Sequence, residues 1–589
     1  LQGVYPIAAG PIFPNERGAK LFSFATMRKW IHFVLLLGLV MGMTMGSKMP
    51  MLGQSVASVM LDAPDVEQLW TRAFWHEQHT GKTMQGEILP ANWDFFEEAT
   101  LLSEDESLVW TLRIQVENAP ALCVYFDSFH LPVGGQLSFR SEAGRFTEDF
   151  TEGPVDFTEN NDHGRWVSGE VPGEEVVIVY TQPSSTIGTP DLHISGVGYF
   201  FRMLWLEGEY DLLSENNRGS DPCQVDVMCP EGEDWQCQRD AVVRLRISMG
   251  GGIYLCSGAM VNNTALDCRQ LLLSSFHCAD DMSESDWGFL KVRYNYEHFD
   301  CGGTSSFNSH IRTGVFLLTS SDDISANGNI NGSDFLLMEV EDPIFDSWTP
   351  FYAGWDVTGS VSTSGVGIHH PSGDRKKIST YTSNLANSSA YFPGAHWRVY
   401  WEETETEHGV TEGGSSGSPL YDEDGRIVGT LTGGASYCES PNAPDYYGKM
   451  SFHWDGNNPI DDDEKLEFFL DPLGTGQQVL DGSYVTEEES PCAEQTVCGI
   501  VEVEELWLME NEWTLRPNPA REQLTIDWSG EIQATEIQIF DASGRKVLRT
   551  DVRKMATPTV SLMGLESGMY FLTLFTPSGA SATRKFLIE

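Results

Sequence analysis

Short runs that alternate apolar and polar residues, each cut off by Gly, Pro, Asn or Asp, recur along most of this 589-residue chain. The runs at 108–116 (LVWTLRIQV), 175–180 after the turn Pro172-Gly173, 241–247, 426–431, 536–540 and 569–574 are examples. A period of two puts every second side chain on one face, so each run reads as a half-buried strand. Residues 463–470 are the one stretch read as a short closing helix. The expected fold class is therefore all-β, in several units, because the chain is too long for one ordinary core. Two polar stretches divide it: Ser214-Glu215-Asn216-Asn217-Arg218-Gly219-Ser220, and the acidic linker around Glu487-Glu488-Glu489-Ser490-Pro491. The expected boundaries are 1–47, 48–218 (a β-rich region read as a sandwich), 219–484, a linker at 485–505, and a small β-sandwich at 506–589.

Composition excludes some partners. Lys and Arg number 36 against 86 Asp and Glu, a formal charge of -50. Such a chain repels polyphosphate, so nucleic acid is not an expected partner, and neither is an anionic membrane surface. The one strongly apolar stretch follows Met27-Arg28-Lys29 and runs from Trp30 to Val40, with small residues after it. A basic start, a short apolar core and a small-residue exit read as an export signal, too short for a comfortable span. Met27 is the expected true start, with 1–26 upstream of it; an uncleaved anchor is the alternative.

The cysteines agree with an oxidising destination. Eight of 11 lie between 223 and 438, at Cys223, Cys229, Cys237, Cys256, Cys268, Cys278, Cys301 and Cys438, with no CxxC pair. That spread suits disulfides better than zinc or thioredoxin chemistry. Cys492 and Cys498 sit close together in the later linker, and Cys123 is left over as an expected buried thiol.

Three segments carry chemistry: Ser274-Ser275-Phe276-His277-Cys278, Gly332-Ser333-Asp334-Phe335, and Gly413-Gly414-Ser415-Ser416-Gly417-Ser418-Pro419. Each alone is an ordinary loop. Together they supply His277, Asp334 and Ser416 in one β unit. A serine hydroxyl is a weak nucleophile until an imidazole in hydrogen-bond reach takes its proton. A buried carboxylate fixes the imidazole tautomer and stabilises its protonated form. Glycines around Ser416 permit a tight turn that aims the amides of Gly414 and Ser416 at a developing oxyanion. His369-His370 is not read as a zinc site, the loop from Asp322 to Gly332 misses the spacing of a calcium loop, and no metal or cofactor is expected.

Residues 223–484 resemble the bacterial lysyl endopeptidase family of trypsin-like serine proteases. The likeness rests on Cys223-Gln224-Val225-Asp226-Val227-Met228-Cys229-Pro230, Cys256-Ser257-Gly258 with Val261-Asn262-Asn263-Thr264, Tyr352-Ala353-Gly354-Trp355-Asp356, Ile368-His369-His370-Pro371, Lys377-Ile378-Ser379 and Gly409-Val410-Thr411-Glu412. It implies a chymotrypsin-like double β-barrel at 219–484. It also implies a secreted zymogen whose amino-terminal propeptide is 48–218. The activity implied is hydrolysis of peptide bonds after basic residues, Lys with Arg left open, through an acyl-enzyme on Ser416. Implied disulfides are Cys223–Cys438, Cys229–Cys301 and Cys256–Cys278. Cys237 and Cys268 have no family counterpart and could pair with each other. The tail, with Leu515-Arg516-Pro517-Asn518-Pro519, Ile539-Phe540-Asp541-Ala542-Ser543-Gly544 and Leu565-Glu566-Ser567-Gly568-Met569-Tyr570, resembles the sorting domain of the Bacteroidetes secretion machinery, an implied partner. The expected location is secreted or cell-surface.

By the same resemblance Asp445, in Asp445-Tyr446-Tyr447-Gly448-Lys449, is the carboxylate of the specificity pocket, bordered by Thr432, Gly433 and Gly434. The chain departs from the family here. The lysyl enzymes place His where it has Thr432, and a nearby Trp for which Tyr391 or Phe392 could stand. Two other functions compete. One is an inactive protease-like binding module on a surface. The other is a lipase or esterase, which would need a Gly-x-Ser-x-Gly elbow and the order Ser, Asp, His.

Overall fold

The computed structural model describes residues 56–588 except for segments 142–149, 203–218, 304–309, 458–464, 485–495 and 498–512 and a few shorter stretches. The expected signal at 1–47 and its Met27 start lie outside the described residues, as do Arg218, Cys492 and Cys498. Among the described residues the chain is mostly β, as the alternation requires, and the helix expected at 463–470 is Leu466–Leu470.

The central region forms two sets of antiparallel strands. In the first, Val242–Met249 pairs with Gly252–Met260 and Lys291–Tyr294, and Leu271–Ser274 pairs with Leu336–Val340. In the second, Ile427–Gly434 lies between Pro419–Tyr421 and Asp445–Lys449. The expected closed barrels are not drawn by any single ladder among the described residues. The chain bends at Gly314 (φ +95°), so His310–Thr313 pairs with Lys291–Tyr294 while Val315–Ser320 pairs with Leu336–Val340. Across the other edge, Gly252–Met260 accepts a strand from outside the central region, Thr83–Asp94, in the register Leu255↔Thr83, Tyr254↔Met84 and Gly252↔Glu87.

That added strand decides the architecture of the leading region, which is not the freestanding sandwich expected. One of its sheets is its own: Ser107–Val116, Glu175–Pro183 and Gln136–Ser141 with their neighbours. Its other strands, Thr83–Asp94, Asp191–Phe200 and Ala121–His130, continue the central sheet to twelve strands. Leu112, Ile178 and Phe139 share one core with Phe126 and Tyr199, and with Leu245 and Tyr254 of the central region. Each such side chain stabilises the fold by about 1.5–3 kcal/mol on burial, so the shared core couples the two regions firmly.

Helix Val66–Thr80 connects into the added strand. Asp65 caps it by accepting the amides of Glu67 and Gln68 at 3.1 and 3.2 Å, and Gly81 ends it at φ +70°. A left-handed residue is readily supplied there only by glycine. The chain thus turns within three residues from helix to strand.

The trailing region packs by itself. Strands Trp513–Arg516, Gln523–Trp528 and Thr559–Ser561 face a four-stranded sheet, and Leu524, Ile526, Ile537, Ile539, Leu572 and Phe586 fill the space between. This is the small sandwich the alternation called for.

Candidate active site

His277 sits in the turn Phe276–Cys278 that follows strand Leu271–Ser274. Asp334 lies two residues before the start of strand Leu336–Val340, which pairs with that same strand. The sheet register therefore sets one residue against the other across 57 positions of sequence. Asp334 Oδ2 meets His277 Nδ1 at 2.7 Å, and Asp334 Oδ1 accepts the His277 backbone amide at 2.8 Å. Both are buried. Burial works against the imidazolium, but the charge and hydrogen bond of Asp334 outweigh it and hold the His277 pKa above the ordinary histidine value. His277 Nε2 has no hydrogen-bond partner among the described residues, so its second nitrogen is uncommitted.

Asp334 stands in the left-handed region (φ +61°), and its amide donates to Asp323 Oδ2 at 2.9 Å. Burial, with the Asp334 charge beside it, pushes Asp323 up to about 6. Ser333 is held between His453 Nδ1 and Asn457 Nδ2, each 2.7 Å from its hydroxyl.

Ser416 lines the same cleft as His277. The turn that carries it needs two glycines. Gly414 (φ +91°) and Gly417 (φ +80°) are left-handed, and a Cβ at Gly417 would lie 2.5 Å from the Ser257 carbonyl. The Ser416 carbonyl accepts from the Ser257 amide at 2.8 Å, and the Gly414 carbonyl accepts from the Ser257 hydroxyl at 2.9 Å. No group among the described residues accepts from the amides of Gly414 and Ser416.

Two histidines hold this turn from behind. The Ser379 hydroxyl donates to the Val410 carbonyl at 3.1 Å, so it accepts from His369 Nε2. His369 Nδ1 then accepts from the Ser415 hydroxyl at 2.7 Å. Burial, then Lys377, lowers the His369 pKa to about 3, which keeps this tautomer neutral. His370 Nδ1 donates to the Asp374 carbonyl at 2.8 Å, and its amide donates to Ser257. Sequence reasoning set the pair aside as a metal site and found no other work for it; the signal lay in the short motif shared by His369-His370 and Lys377-Ile378-Ser379.

Asp445 is fully buried behind the cleft wall. Its carboxylate accepts from Trp401 Nε1 (2.6 Å), the hydroxyls of Thr411 (2.7 Å) and Ser436 (2.5 Å), and the Ser436 amide (3.1 Å). Thr411, Thr432, Gly433, Gly434 and Ser436 line the cleft beside Ser416. Burial raises the Asp445 pKa against those hydrogen bonds. Of the two aromatic candidates, Tyr391 lines the cleft, while Phe392 packs on Phe452 with ring centres 6.0 Å apart. A histidine is present after all, from an unexpected strand. His396 Nε2 bonds the Thr432 hydroxyl at 3.1 Å, and its ring lies 5.2 Å from that of Tyr391.

The disulfides Cys223–Cys438, Cys229–Cys301 and Cys256–Cys278 are formed, the last joining the strand that backs the Ser416 turn to the residue after His277. Cys237 and Cys268 are disulfide-bonded as well, and the other six disulfide-bonded cysteines pair among themselves. Cys123 is a buried thiol.

Residues 218–448 match the family model described as lysyl endopeptidase, C-terminal domain, and residues 514–589 match that of a secretion system C-terminal sorting domain. A lysyl endopeptidase of Pseudomonas aeruginosa is 30% identical over 328 residues, which are 52% of this chain and 65% of the relative. Among solved structures, a thermostable serine protease from an extremophilic microorganism covers 36% of this chain and 93% of its own, at 14% identity and a TM-score of 0.26. Neuropsin, a serine protease of mouse brain, covers 38% and 94% at the same identity and TM-score.

Proposed function

We propose, from the matches of residues 218–448 to a lysyl endopeptidase domain and of 514–589 to a secretion sorting domain, an exported serine endopeptidase that cleaves after basic residues. The observation that supports it most is the contact of buried Asp334 with His277 Nδ1, which leaves Nε2 without a partner on a histidine that lines the same cleft as Ser416.

His277 Nε2 takes the Ser416 proton as the hydroxyl oxygen attacks the scissile carbonyl. Asp334 keeps the ring in the tautomer with Nδ1 protonated. The amides of Gly414 and Ser416 receive the oxyanion, which is worth roughly 3–4 kcal/mol per donor in related chemistry. His277 then passes its proton to the leaving amine, and water repeats the sequence on the acyl-enzyme. His369 and His370 act as positioning residues through the turn they support.

The basic side chain would enter between Thr411, Ser436 and Gly433-Gly434. The hydroxyls of Thr411 and Ser436, both residues of the cleft lining, donate to Asp445 and so couple the lining to its charge. Residues 48–218 are the propeptide in this reading, and the mature chain begins after Arg218.

Two experiments test it. A proteome digested with the active protein and read by mass spectrometry should show cleavage after Lys, Arg or both. A flat choice of residue would defeat the pocket assignment. Fluorophosphonate labelling should require Ser416, and equal labelling of Ser416→Ala would defeat the nucleophile.

A further inference from the structure

The cleft over His277 and Ser416 has a volume of about 1090 Å³, and its opposite wall belongs to the leading region. Trp70, Phe74, Glu77, Thr80, Gly81 and Thr83 line it. A side chain begun at Gly81 would stand 3.8 Å from His277 Nε2. Two residues on, Thr83 pairs in antiparallel register with Leu255, beside the Cys256–Cys278 disulfide. An extended peptide that adds a strand to this edge runs past the catalytic residues in the manner of a bound substrate.

Between these two residues lies Lys82. Its side chain is only 3% exposed. Its ammonium pairs with Asp280 and, at 3.2 Å, with Asp281. These carboxylates follow His277-Cys278-Ala279 directly, and their pairing with Lys82, next to Thr83, sets them where strand 252–260 takes the added strand. They lie apart from Asp445, which is reached through Thr411 and Ser436. A buried ammonium is costly unless paired, so the aspartates are the reason a lysine is tolerated there.

We infer that Asp280 and Asp281 form a second acidic subsite, which accepts a cationic side chain from the residue just after the scissile bond, and that Lys82 fills it while the leading region is attached. This rests on the serine endopeptidase reading. The enzyme would then favour substrates with basic residues on both sides of the cut.

Peptides with one basic residue before the scissile bond, and Lys, Met or Glu at the first position after it, test the inference with active protein obtained from the full chain. Lys is expected to exceed Glu by about tenfold in kcat/KM, and Asp280→Asn/Asp281→Asn should bring that ratio to within about twofold. In the intact, unprocessed chain, Lys82→Met should speed fluorophosphonate labelling of Ser416 about tenfold, with Lys82→Arg near wild type. Wild-type cleavage indifferent to the residue after the bond overturns the subsite while leaving the endopeptidase reading intact. So does a Lys preference that survives the double variant. A protein that cuts no peptide and labels in no form overturns both.

Discussion

The two regions that flank the central domain are built from the same kind of alternating strands, yet they relate to it in opposite ways. The leading region gives strand Thr83–Asp94 to the central sheet and pools its apolar residues into one core with it. The trailing region keeps its own core, from Trp513 to Ile588. Alternation makes a sheet in both cases. What differs is the edge: Gly252–Met260 takes Thr83–Asp94 as its neighbour, while among the described residues no strand of the trailing sandwich pairs with the central region. A region that completes a neighbour's sheet can cover the neighbour's site, and the helix and turn at 66–83 do so.

The largest expected effect comes from the nucleophile. Ser416→Ala should lower turnover by about 10⁶-fold while all three regions stay folded. In that variant the leading region should remain attached, with an intact Arg218-Gly219 bond in a clean background. Amino-terminal sequencing checks this, and a start at Gly219 in both forms would assign the cut to another protease. Asp445→Ser should cost about 10²-fold or more on Lys and Arg peptides and far less on apolar ones, because a cation in the pocket would lose its counter-charge. Equal losses would make Asp445 a structural anchor for Trp401, Thr411 and Ser436 instead.

Core truncations break the comparison directly. Phe126→Ala in the leading region should cost about 3–5 kcal/mol and lower the melting of the leading and central regions together. Leu572→Ala should cost about 2–5 kcal/mol in the trailing sandwich alone. Calorimetry that finds one transition moved by both variants would erase the distinction drawn here.

The smallest effect is on pH dependence. The base must be neutral to accept the serine proton, and Asp334 holds His277 above its ordinary value, so activity is present above that raised pKa and is lost as pH falls through it. The loss should approach tenfold per pH unit. Burial and Lys82 both lower the His277 pKa, so removing the leading region should move the acid limb upward. NMR titration of His277 in Ser416→Ala, before and after removal, gives the sign, and a downward shift would contradict the placement of Lys82 beside it.

Much of this site was written in local sequence. The glycines at 414 and 417 announce a turn that only left-handed residues can make, and their φ values bear this out. The order His277, Asp334, Ser416 on strand ends required no distant information, nor did the sandwich at 513–588, whose alternation is satisfied within itself. Three of the disulfides follow the pairing implied by resemblance. The tertiary structure alone decided the rest. His369 reaches Ser415 across 46 residues, His396 reaches Thr432 across 36, and Lys82 reaches Asp280 across 198. A strand's alternation tells which face is buried but not which edge it will join, because any edge offers the same backbone donors and acceptors. Only the folded register of Thr83 on Leu255 brings a lysine from the leading region to the side of His277.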